Sequence, residues 1–294
     1  MRTLTVTLNA ALDVTYPVDR LAAGTTHRVG APAVRAGGKG VNVARVLRRL
    51  GVDAVATGLV GGCSGARLTA DLADADVPEA MFPIAGETRR TVAVVEGSGE
   101  ATVFAEPGPS VTGPEWAGFV RHYRALLAGV DLVVLSGSLP RGVPPDAYAT
   151  LVRACDVPVL LDADGPPLAA GAAAGPAVIT PNRLELRAAT DLDPLALGAD
   201  AALVSDGPAG MTAYTRAGVW TATPPERVVG NPTGAGDAAV AALVACWHLP
   251  WPERLANAVA LSAAAVRSPL AGDFDRDFYE SRKASVLPRR VTED

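Results

Sequence analysis

Apolar and polar positions along the chain fall into two alternating patterns. Short apolar runs, rich in Val, Leu and Ala and typical of strands, lie at residues 3–8, 53–60, 131–137, 157–163, 177–180 and 201–205. The segments between them repeat their apolar residues at the spacing of a helix face, at residues 40–51, 65–76, 144–155 and 182–190. This alternation predicts a mostly parallel sheet covered by helices on both faces.

The pattern changes in the second half of the chain. "MTAYTR" (211–216) and "GVWTAT" (218–223) predict two short antiparallel strands, and "PERLANAVALSAAAVRS" (252–268) predicts a buried, Ala-rich helix. Val and Thr also alternate around "GSGE" (97–100), which indicates a hairpin. We predict a single domain over residues 1–294, with a small β-sheet lid built from segments near 13–35 and 84–105.

Composition narrows the class of protein. A chain of 294 residues with 49% hydrophobic content can bury a large core, and its net charge of −5 offers no basic surface for nucleic acid or an anionic membrane. No window reaches the ~18 to 20 apolar residues of a membrane span, and the start lacks the pattern of a signal peptide. Cys63, Cys155 and Cys246 lie far apart without CxxC spacing. We expect a cytoplasmic protein with reduced, buried thiols.

The segment "NPTGAGD" (231–237) is the first candidate for chemistry. Gly234 and Gly236 stand where a helix begins, so backbone N–H groups there can hold an anion. Asp237 is open to two interpretations. It is either a helix cap or a base that takes a proton from an attacking hydroxyl while the N–H groups hold a transferring phosphoryl group.

A second glycine cluster stands in "RAGGKGVNVARVLRRLG" (35–51). It matches neither the Walker A motif nor GxGxxG, so a nicotinamide-dependent dehydrogenase loses its main support. What remains is a tight turn at Gly37 and Gly38, a cation at Lys39 and an amide at Asn42 on the first turn of a helix. Such groups can bind hydroxyls and a phosphate, although a glycine-rich helix start is often purely structural.

Three weaker signals lie along the rest of the chain. Asn182 and Glu185 are spaced to share one helix face, where they could also be a helix start and a solvent-facing side chain. Arg89 or Arg90 in "GETRRTV" could reach an anionic substrate from the lid or face water. Ser138 in "LSGSLPRGVP" follows a strand at the carboxyl end of the sheet, where α/β proteins bind ligands.

Taken in order, these motifs resemble those of one family. "TLNAALD", "AGGKGVNVARVL", "GETR", "EPGP", "SGSLPRGVP", "TPNRLEL", "SDGPAG" and "NPTGAGD" occur in the order seen in the ribokinase-like (PfkB) carbohydrate kinases. The chain most resembles the branch that contains 1-phosphofructokinase and tagatose-6-phosphate kinase. The resemblance covers about residues 3 to 270, and eight motifs in order are far more specific than any one of them.

The resemblance implies a ribokinase-like three-layer α/β/α fold and a role for each matching residue. The implied catalytic residues are the base Asp237 and an anion hole formed by Gly234, Ala235 and Gly236. Substrate binding falls to Asp13, Gly37, Gly38, Lys39, Asn42, Arg89 and Ser138, with Arg89 at the phosphate that the sugar already carries. The implied nucleotide-binding residues are Asn182, Ser205, Gly207, Gly210 and Thr233. The implied Mg²⁺-binding residue is Glu185.

The expected activity is ATP- and Mg²⁺-dependent phosphorylation of a ketohexose phosphate, first of all fructose 1-phosphate to fructose 1,6-bisphosphate. Tagatose 6-phosphate and fructose 6-phosphate are the alternatives, and the lid arginines disfavour unphosphorylated sugars. A homodimer through the lid is also expected from the resemblance. Whether a monovalent cation assists stays open at this point.

Four positions depart from the family pattern. Ala10 replaces a proline, Thr180 a lysine two residues before Asn182, Ala105 an amide of the lid, and Asp206 a leucine of the nucleotide loop. These departures bear on substrate identity and nucleotide affinity. They keep open a second class of function, a catalytically weak homologue that binds a sugar phosphate.

Overall fold

The chain forms two sheets in a computed structural model that describes residues 1–190 and 193–292. The large sheet has the strand order β14-β13-β12-β11-β10-β9-β8-β1-β4-β5, and the small one β3-β2-β6-β7. The strands are β1 Arg2–Thr7, β2 Ala11–Val18, β3 Ala33–Gly37, β4 Asp53–Val60, β5 Phe82–Pro83, β6 Arg89–Glu96, β7 Ala101–Ala105, β8 Leu132–Ser136, β9 Val159–Asp162, β10 Val178–Ile179, β11 Ala201–Ser205, β12 Met211–Thr215, β13 Gly218–Ala222 and β14 Arg289–Val291.

Helices connect these strands and cover the large sheet. They are α1 Lys39–Arg49, α2 Gly62–Asp74, α3 Gly113–Leu126, α4 Ala147–Arg153, α5 Gly165–Ala172, α6 Arg183–Ala189, α7 Ala235–Ala245, α8 Trp251–Val266 and α9 Arg276–Arg282. Within the described residues, no helix is long and apolar enough to cross a lipid bilayer.

The large sheet is parallel from β5 to β11 and antiparallel from β11 to β14. Its central strands β8 and β9 are buried over their whole length, as strands covered on both faces must be. One face packs against apolar residues of α1, α7 and α8, and the other against those of α3, α4 and α5. The predicted three-layer α/β/α fold with a mostly parallel sheet is therefore confirmed.

The small sheet joins segments that lie on either side of β4 and α2 in the chain. Its β6 and β7 pair antiparallel from Thr91–Ala105 to Val95–Ala101, so the hairpin predicted around "GSGE" is confirmed. β2 pairs antiparallel with β3 and parallel with β6. That this sheet acts as a lid, within a single domain over residues 1–294, stays a prediction.

The structure also contains elements that the hydrophobic pattern did not predict, namely α3, α5, α9, β5 and β14. The start of α3 carries a sequence signal, because Thr112 and Glu115 form a reciprocal capping box beside a proline. α5 is short and nearly featureless in its polarity, since it consists of Gly, Pro, Ala and one Leu. Periodicity alone cannot define such a helix.

The expectation of buried thiols is wrong for Cys63. All three cysteines are free, but Cys63 is exposed while Cys155 and Cys246 are partly buried. Cys63 lies in the first turn of α2, whose buried face consists of Ser64, Gly65, Leu68 and Leu72. Its side chain therefore projects away from the core.

Candidate active site

A cleft of about 320 Å³ lies at the carboxyl ends of the parallel strands, beside the small sheet. It brings together side chains and backbone that the sequence predicted from separate motifs. Of the predicted site residues, the cleft is lined by Asp13, Gly38, Lys39, Asn42, Arg89, Asn182, Glu185, Ser205, Thr233, Gly234, Gly236 and Asp237. Position at the carboxyl edge of an open α/β sheet is where such folds bind ligands.

The other predicted residues lie around the cleft. Gly37 stands behind Asp13, so close that a Cβ there would collide with the Asp13 carboxylate. Ser138 is exposed, and its hydroxyl accepts a 3.1 Å hydrogen bond from Asn9 Nδ2. Ala235, Gly207 and Gly210 line a neighbouring apolar cavity.

Among the described residues, Asp237 is one of two deeply buried acids of the cleft, with 6% of its surface exposed against 5% for Asp162. Its Oδ2 accepts a 2.8 Å hydrogen bond from Asn42 Nδ2. Burial and the nearby charge of Asp162 raise the pKa of Asp237 to about 7, against the lowering effects of Asn42 and Lys39. A carboxylate with such a pKa is suited to accept a proton near neutral pH.

The helix that carries Asp237 begins just after Gly234, a position that only glycine can occupy without strain. Gly234 has a φ of 85°, and a Cβ there would lie 3.0 Å from Ala271 Cα. The first helical bond of α7 runs from Ala238 N to Gly234 O, so the N–H groups of Gly236 and Asp237 have no acceptor within the helix. Ala235 N–H instead donates to Pro232 O, which leaves this amide unavailable to an anion.

Lys39 is one of two cations that line the cleft in the part of the chain that the structure describes, the other being Arg89. Its Nζ lies 3.2 Å from Asp162 Oδ1, while Ser136 Oγ donates to the other Asp162 oxygen at 2.8 Å. Burial would lower the pKa of Lys39, but the carboxylates of Asp162, Asp237 and Glu185 outweigh burial and raise it. The Lys39 ammonium therefore stays charged in the cleft, where 41% of the Lys39 side chain is exposed.

Asp13 and Arg89 approach the cleft from the small sheet. Burial raises the pKa of Asp13 to about 6, opposed by a hydrogen bond from Thr91 and by the charge of Arg89. Arg89 donates from Nε to Asn9 O at 3.1 Å and from Nη1 to Thr91 Oγ1 at 3.3 Å. Much of its guanidinium is thus bound within the protein.

Asn182 and Glu185 form a capping box at the start of α6. Asn182 Oδ1 accepts from the backbone of Leu184 and Glu185, and Glu185 Oε2 accepts from Asn182 N at 2.9 Å. The structural interpretation of this pair is thus confirmed at the helix end. Both side chains nevertheless line the cleft, so Glu185 does not face only solvent.

An apolar cavity of about 370 Å³ adjoins the cleft, and the sequence did not indicate it. Among its walls are the loop glycines Gly207 and Gly210, with Val228, Val259 and Val266. Its mostly apolar walls suit the flat face of a nucleotide base, next to a polar cleft that could take the phosphates.

The structure shows the environment of two departures from the family pattern, Asp206 and Thr180. Asp206 accepts a 2.6 Å hydrogen bond from Arg183 Nε, so the extra charge on the glycine loop is paired. The Thr180 hydroxyl lines the cleft and is buried without a hydrogen-bond partner among the described residues. A buried polar atom of this kind is suited to a ligand that enters the cleft.

The donor set of the cleft fits a magnesium ion that is held mainly by a nucleotide. Residues 1–190 and 193–292 contain no cluster of three or more His, Cys, Asp or Glu side chains that could hold a metal by itself. Mg²⁺ commonly takes one or two carboxylates and completes its octahedron with phosphate oxygens and water. Glu185 and Asp162 supply such carboxylates, and the unpartnered Thr180 oxygen lies in the same cleft.

Comparison with known proteins decides the family. The family model "pfkB family carbohydrate kinase" matches residues 2–276. This chain belongs to the pfkB family of carbohydrate kinases. As a pfkB kinase it is a phosphotransferase with an alcohol acceptor, and the family assignment implies the use of ATP.

Solved structures agree with that family over nearly the whole chain. Phosphofructokinase-2 from Escherichia coli in complex with potassium has 29% identity and a TM-score of 0.89, covering 97% of this chain and 98% of that one. The same enzyme with fructose-6-phosphate has 28% identity and a TM-score of 0.88, covering 97% and 98%. A protein of Thermotoga maritima, described as a possible 1-phosphofructokinase, has 28% identity and a TM-score of 0.90, covering 99% and 100%.

Sequence reasoning missed Asp162 as a member of this pfkB site. The residue ends β9 and stands at the carboxyl edge of the sheet, in "LLDA" (160–163). A lone acid at the end of a wholly buried strand was the available signal, because such a strand has no other reason to carry a charge.

Proposed function

We propose that this pfkB kinase phosphorylates a ketohexose phosphate with MgATP, first of all fructose 1-phosphate to give fructose 1,6-bisphosphate. The observation that carries the proposal is the buried Asp237, which shares one cleft with Lys39 and with the lid arginine Arg89. A base, a cation and a lid arginine in one cleft suit phosphoryl transfer to a substrate that already carries an anionic group.

In the proposed reaction, the substrate hydroxyl oxygen forms a bond to the γ-phosphorus of ATP as the bond to the ADP oxygen breaks. Asp237 accepts the hydroxyl proton. Because Asn42 holds Oδ2 at 2.8 Å, the other carboxylate oxygen of Asp237 is the one available to the substrate. The raised pKa of about 7 lets this carboxylate take the proton and release it at neutral pH.

Negative charge that spreads over the transferring group needs fixed positive partners. The N–H groups of Gly236 and Asp237 at the start of α7 and the ammonium of Lys39 are the proposed partners. Bound Mg²⁺ would neutralise part of the phosphate charge, with Glu185 and Asp162 near its water shell. The small sheet, acting as a lid over the cleft, would keep water from competing with the sugar hydroxyl.

Asp13 is the proposed partner of the sugar hydroxyls, in a loop where Gly37 and Gly38 let the backbone come close. Arg89, beside Asp13, is the proposed contact to the phosphate of the sugar. The nucleotide is proposed to lie along Asn182, Ser205 and the glycine loop, with its base in the apolar cavity.

Fructose 6-phosphate is the second candidate substrate, because an E. coli relative of 28% identity is solved with that sugar phosphate. The test is a screen of the purified protein with MgATP over fructose 1-phosphate, fructose 6-phosphate, tagatose 6-phosphate, free fructose and free tagatose. ADP release gives the rate, and phosphorus NMR of the product gives the position of the new phosphate. Repeating the best reaction in KCl and in NaCl tests for help by a monovalent cation.

The same screen tests the alternative of a weak sugar-phosphate binder. A true kinase turns over at least one of these sugars at a kcat of about 1 s⁻¹ or more. Binding of a sugar phosphate without turnover would instead indicate that catalysis is lost because Thr180 stands where the family has a lysine. The intact base, held at Asp237, favours turnover.

A homodimer through the small sheet is the proposed assembly. Strand register places Val34, Val14, Val92 and Phe104 side by side on the face opposite Asp13. Val14 is already buried and Val34 packs against an apolar cluster of this chain, so Val92 and Phe104 are the members of this row left for a second copy. Phe104 has 59% of its surface exposed on the edge strand of that sheet. An apolar sheet face with an exposed edge strand is a suitable surface for a second copy.

A further inference from the structure

A second cavity of about 70 Å³ extends the cleft beneath the small sheet. Its walls include Arg35 on one side and Asn231 and Leu270 on the other. Asp13, Thr91 and Thr233 line both this cavity and the cleft that holds Asp237. The two spaces therefore adjoin each other at Asp13.

Strand register directs Arg35 into this cavity. Arg35 on β3 pairs with Asp13 on β2, and Asp13 pairs in turn with Thr91 on β6. Directly paired residues place their side chains on the same face of a sheet, so the three side chains share the face that looks into the molecule.

The two arginines of this face differ in what holds them. Arg89 donates hydrogen bonds to Asn9 O, Thr91 Oγ1 and Glu106 O, which occupy its Nε and Nη1. No described residue accepts a hydrogen bond from Arg35 or forms an ion pair with it. Its planar guanidinium keeps its donors for a ligand.

Of the described residues, Arg35 and Asp13 are the charged ones that line the cavity. Arg45 and Arg49 of α1 lie outside this lining, and the positive charge of Arg35 contributes, after burial, to lowering the pKa of each. Arg49 is paired with Asp273. Arg45 is paired with Asp71, but its Nε is buried without a partner. The acid that faces Arg35 directly is Asp13, whose pKa burial raises to about 6.

Asp13 interacts electrostatically both with the proposed base Asp237 and with the two arginines Arg89 and Arg35. Its charge acts on Asp237, and the charges of Arg89 and Arg35 act on Asp13. A substrate that lies across Asp13 would thus have one end at the base and the other end near two guanidinium groups. The free donors belong mainly to Arg35.

We propose that Arg35 binds the phosphate that a phosphosugar already carries, in the cavity beneath the small sheet. This inference rests on the proposed function and names a specificity-determining residue for it. Arg89 then contributes its remaining Nη2 and joins the strands of the small sheet, while Arg35 makes the paired hydrogen bonds that suit a phosphate.

The test compares Arg35→Ala, Arg35→Lys and the control Arg28→Ala, in which an exposed arginine of the β2–β3 connection is removed. KM and kcat are measured with the best phosphosugar and with the matching free sugar. Arg35→Ala should raise the KM for the phosphosugar by about 10-fold or more, with kcat changed less than about threefold. Arg35→Lys should recover part of the loss, because it keeps the charge but not the planar pair of donors.

The free sugar separates phosphate binding from a merely structural role. If Arg35 only balances the charge of Asp13, its loss should change the reactions of free sugar and phosphosugar equally, and this result would overturn the inference. An unchanged phosphosugar KM in Arg35→Ala would overturn it as well. Wild-type protein that uses only free sugars would contradict the proposed function itself, so the two failures are distinguishable.

Discussion

The side-chain amide of Asn42 holds Asp237 across 195 positions of sequence, through a 2.8 Å hydrogen bond from Nδ2 to Oδ2. Both residues are buried, with 6% of each exposed. The bond fixes the carboxylate at one oxygen and leaves Oδ1 without a protein partner among the described residues. A carboxylate that is held in this way would need little reorganisation to act as the proposed base.

Replacing Asp237 with Asn should remove the base while it keeps the shape of the side chain. We expect kcat to fall by ~10² to 10⁴, the usual contribution of general base catalysis, with little change in nucleotide affinity. Steady-state kinetics and titration with MgADP measure the two effects. The control is Asp146→Asn, since Asp146 is exposed and makes no capping hydrogen bond with its side chain. A near-normal kcat would show that Asp237 has a structural role and is not the base.

The pKa of Asp237 predicts opposite effects of pH on activity and on stability. Its carboxylate must be unprotonated to act, so kcat should fall as the pH drops below about 7. The folded chain binds a proton that the unfolded chain has already lost between the ordinary pKa of 3.8 and about 7. The contribution of Asp237 to the free energy of unfolding therefore decreases as the pH rises through this window.

Urea unfolding at two pH values checks the second effect. Asp237→Asn should gain stability over the wild type at pH 8, on the order of a few kcal/mol, and lose most of that gain near pH 4. A gain that does not vary with pH would show that burial of the charge is not its cause.

Glu185→Gln tests the carboxylate next to the proposed metal. A Gln oxygen can still accept from Asn182 N, so the capping box and helix α6 should persist. We expect a higher Mg²⁺ concentration for half-maximal rate and a raised KM for MgATP, because the amide lacks the charge. Glu115→Gln is a matched control, since Glu115 occupies the same position in the capping box of α3. Equal responses of the two variants would exclude a metal role for Glu185.

Arg89→Ala tests the proposed contact between Arg89 and the phosphate of the sugar. The lost charge-assisted hydrogen bond is worth about 1.5 to 3 kcal/mol, which corresponds to a KM for the phosphosugar raised roughly 10-fold to 150-fold with kcat less affected. Arg90→Ala is the control, because Arg90 is exposed and pairs with Leu12 on the other face of the same sheet. Free fructose should respond little to either change. A phosphosugar KM that stays at the wild-type value would remove Arg89 from the substrate site.

Phe104→Asp tests the proposed dimer. A charge on this exposed apolar face should shift the protein from dimer to monomer in size-exclusion chromatography with light scattering. Leu287→Asp is the control, since Leu287 is also exposed, at 72%, but lies outside the small sheet. If the mass of the wild type is that of a monomer, or if Phe104→Asp stays dimeric, the small sheet is not the interface.

The sequence determined the features that depend on neighbouring residues. Strand β8 is a continuous apolar run, the β6–β7 hairpin turns at Gly97 and Gly99, and α7 begins after Gly234 in its positive-φ conformation. Periodicity and backbone freedom are local properties, so they can be read from a few adjacent letters. The ordered motifs likewise placed most of the cleft residues, because parallel strands end at one edge of their sheet.

Only the tertiary structure decided which side chains meet and which keep their donors free. The Lys39–Asp162 contact spans 123 positions, and nothing near Lys39 in the sequence indicates its partner. Arg35 and Arg89 are both arginines beside Asp13, yet Arg89 is bound by three protein oxygens and Arg35 by none that the structure describes. Burial, hydrogen-bond partners and pKa values arise from the packing of distant segments, and that packing has no signature in any single segment.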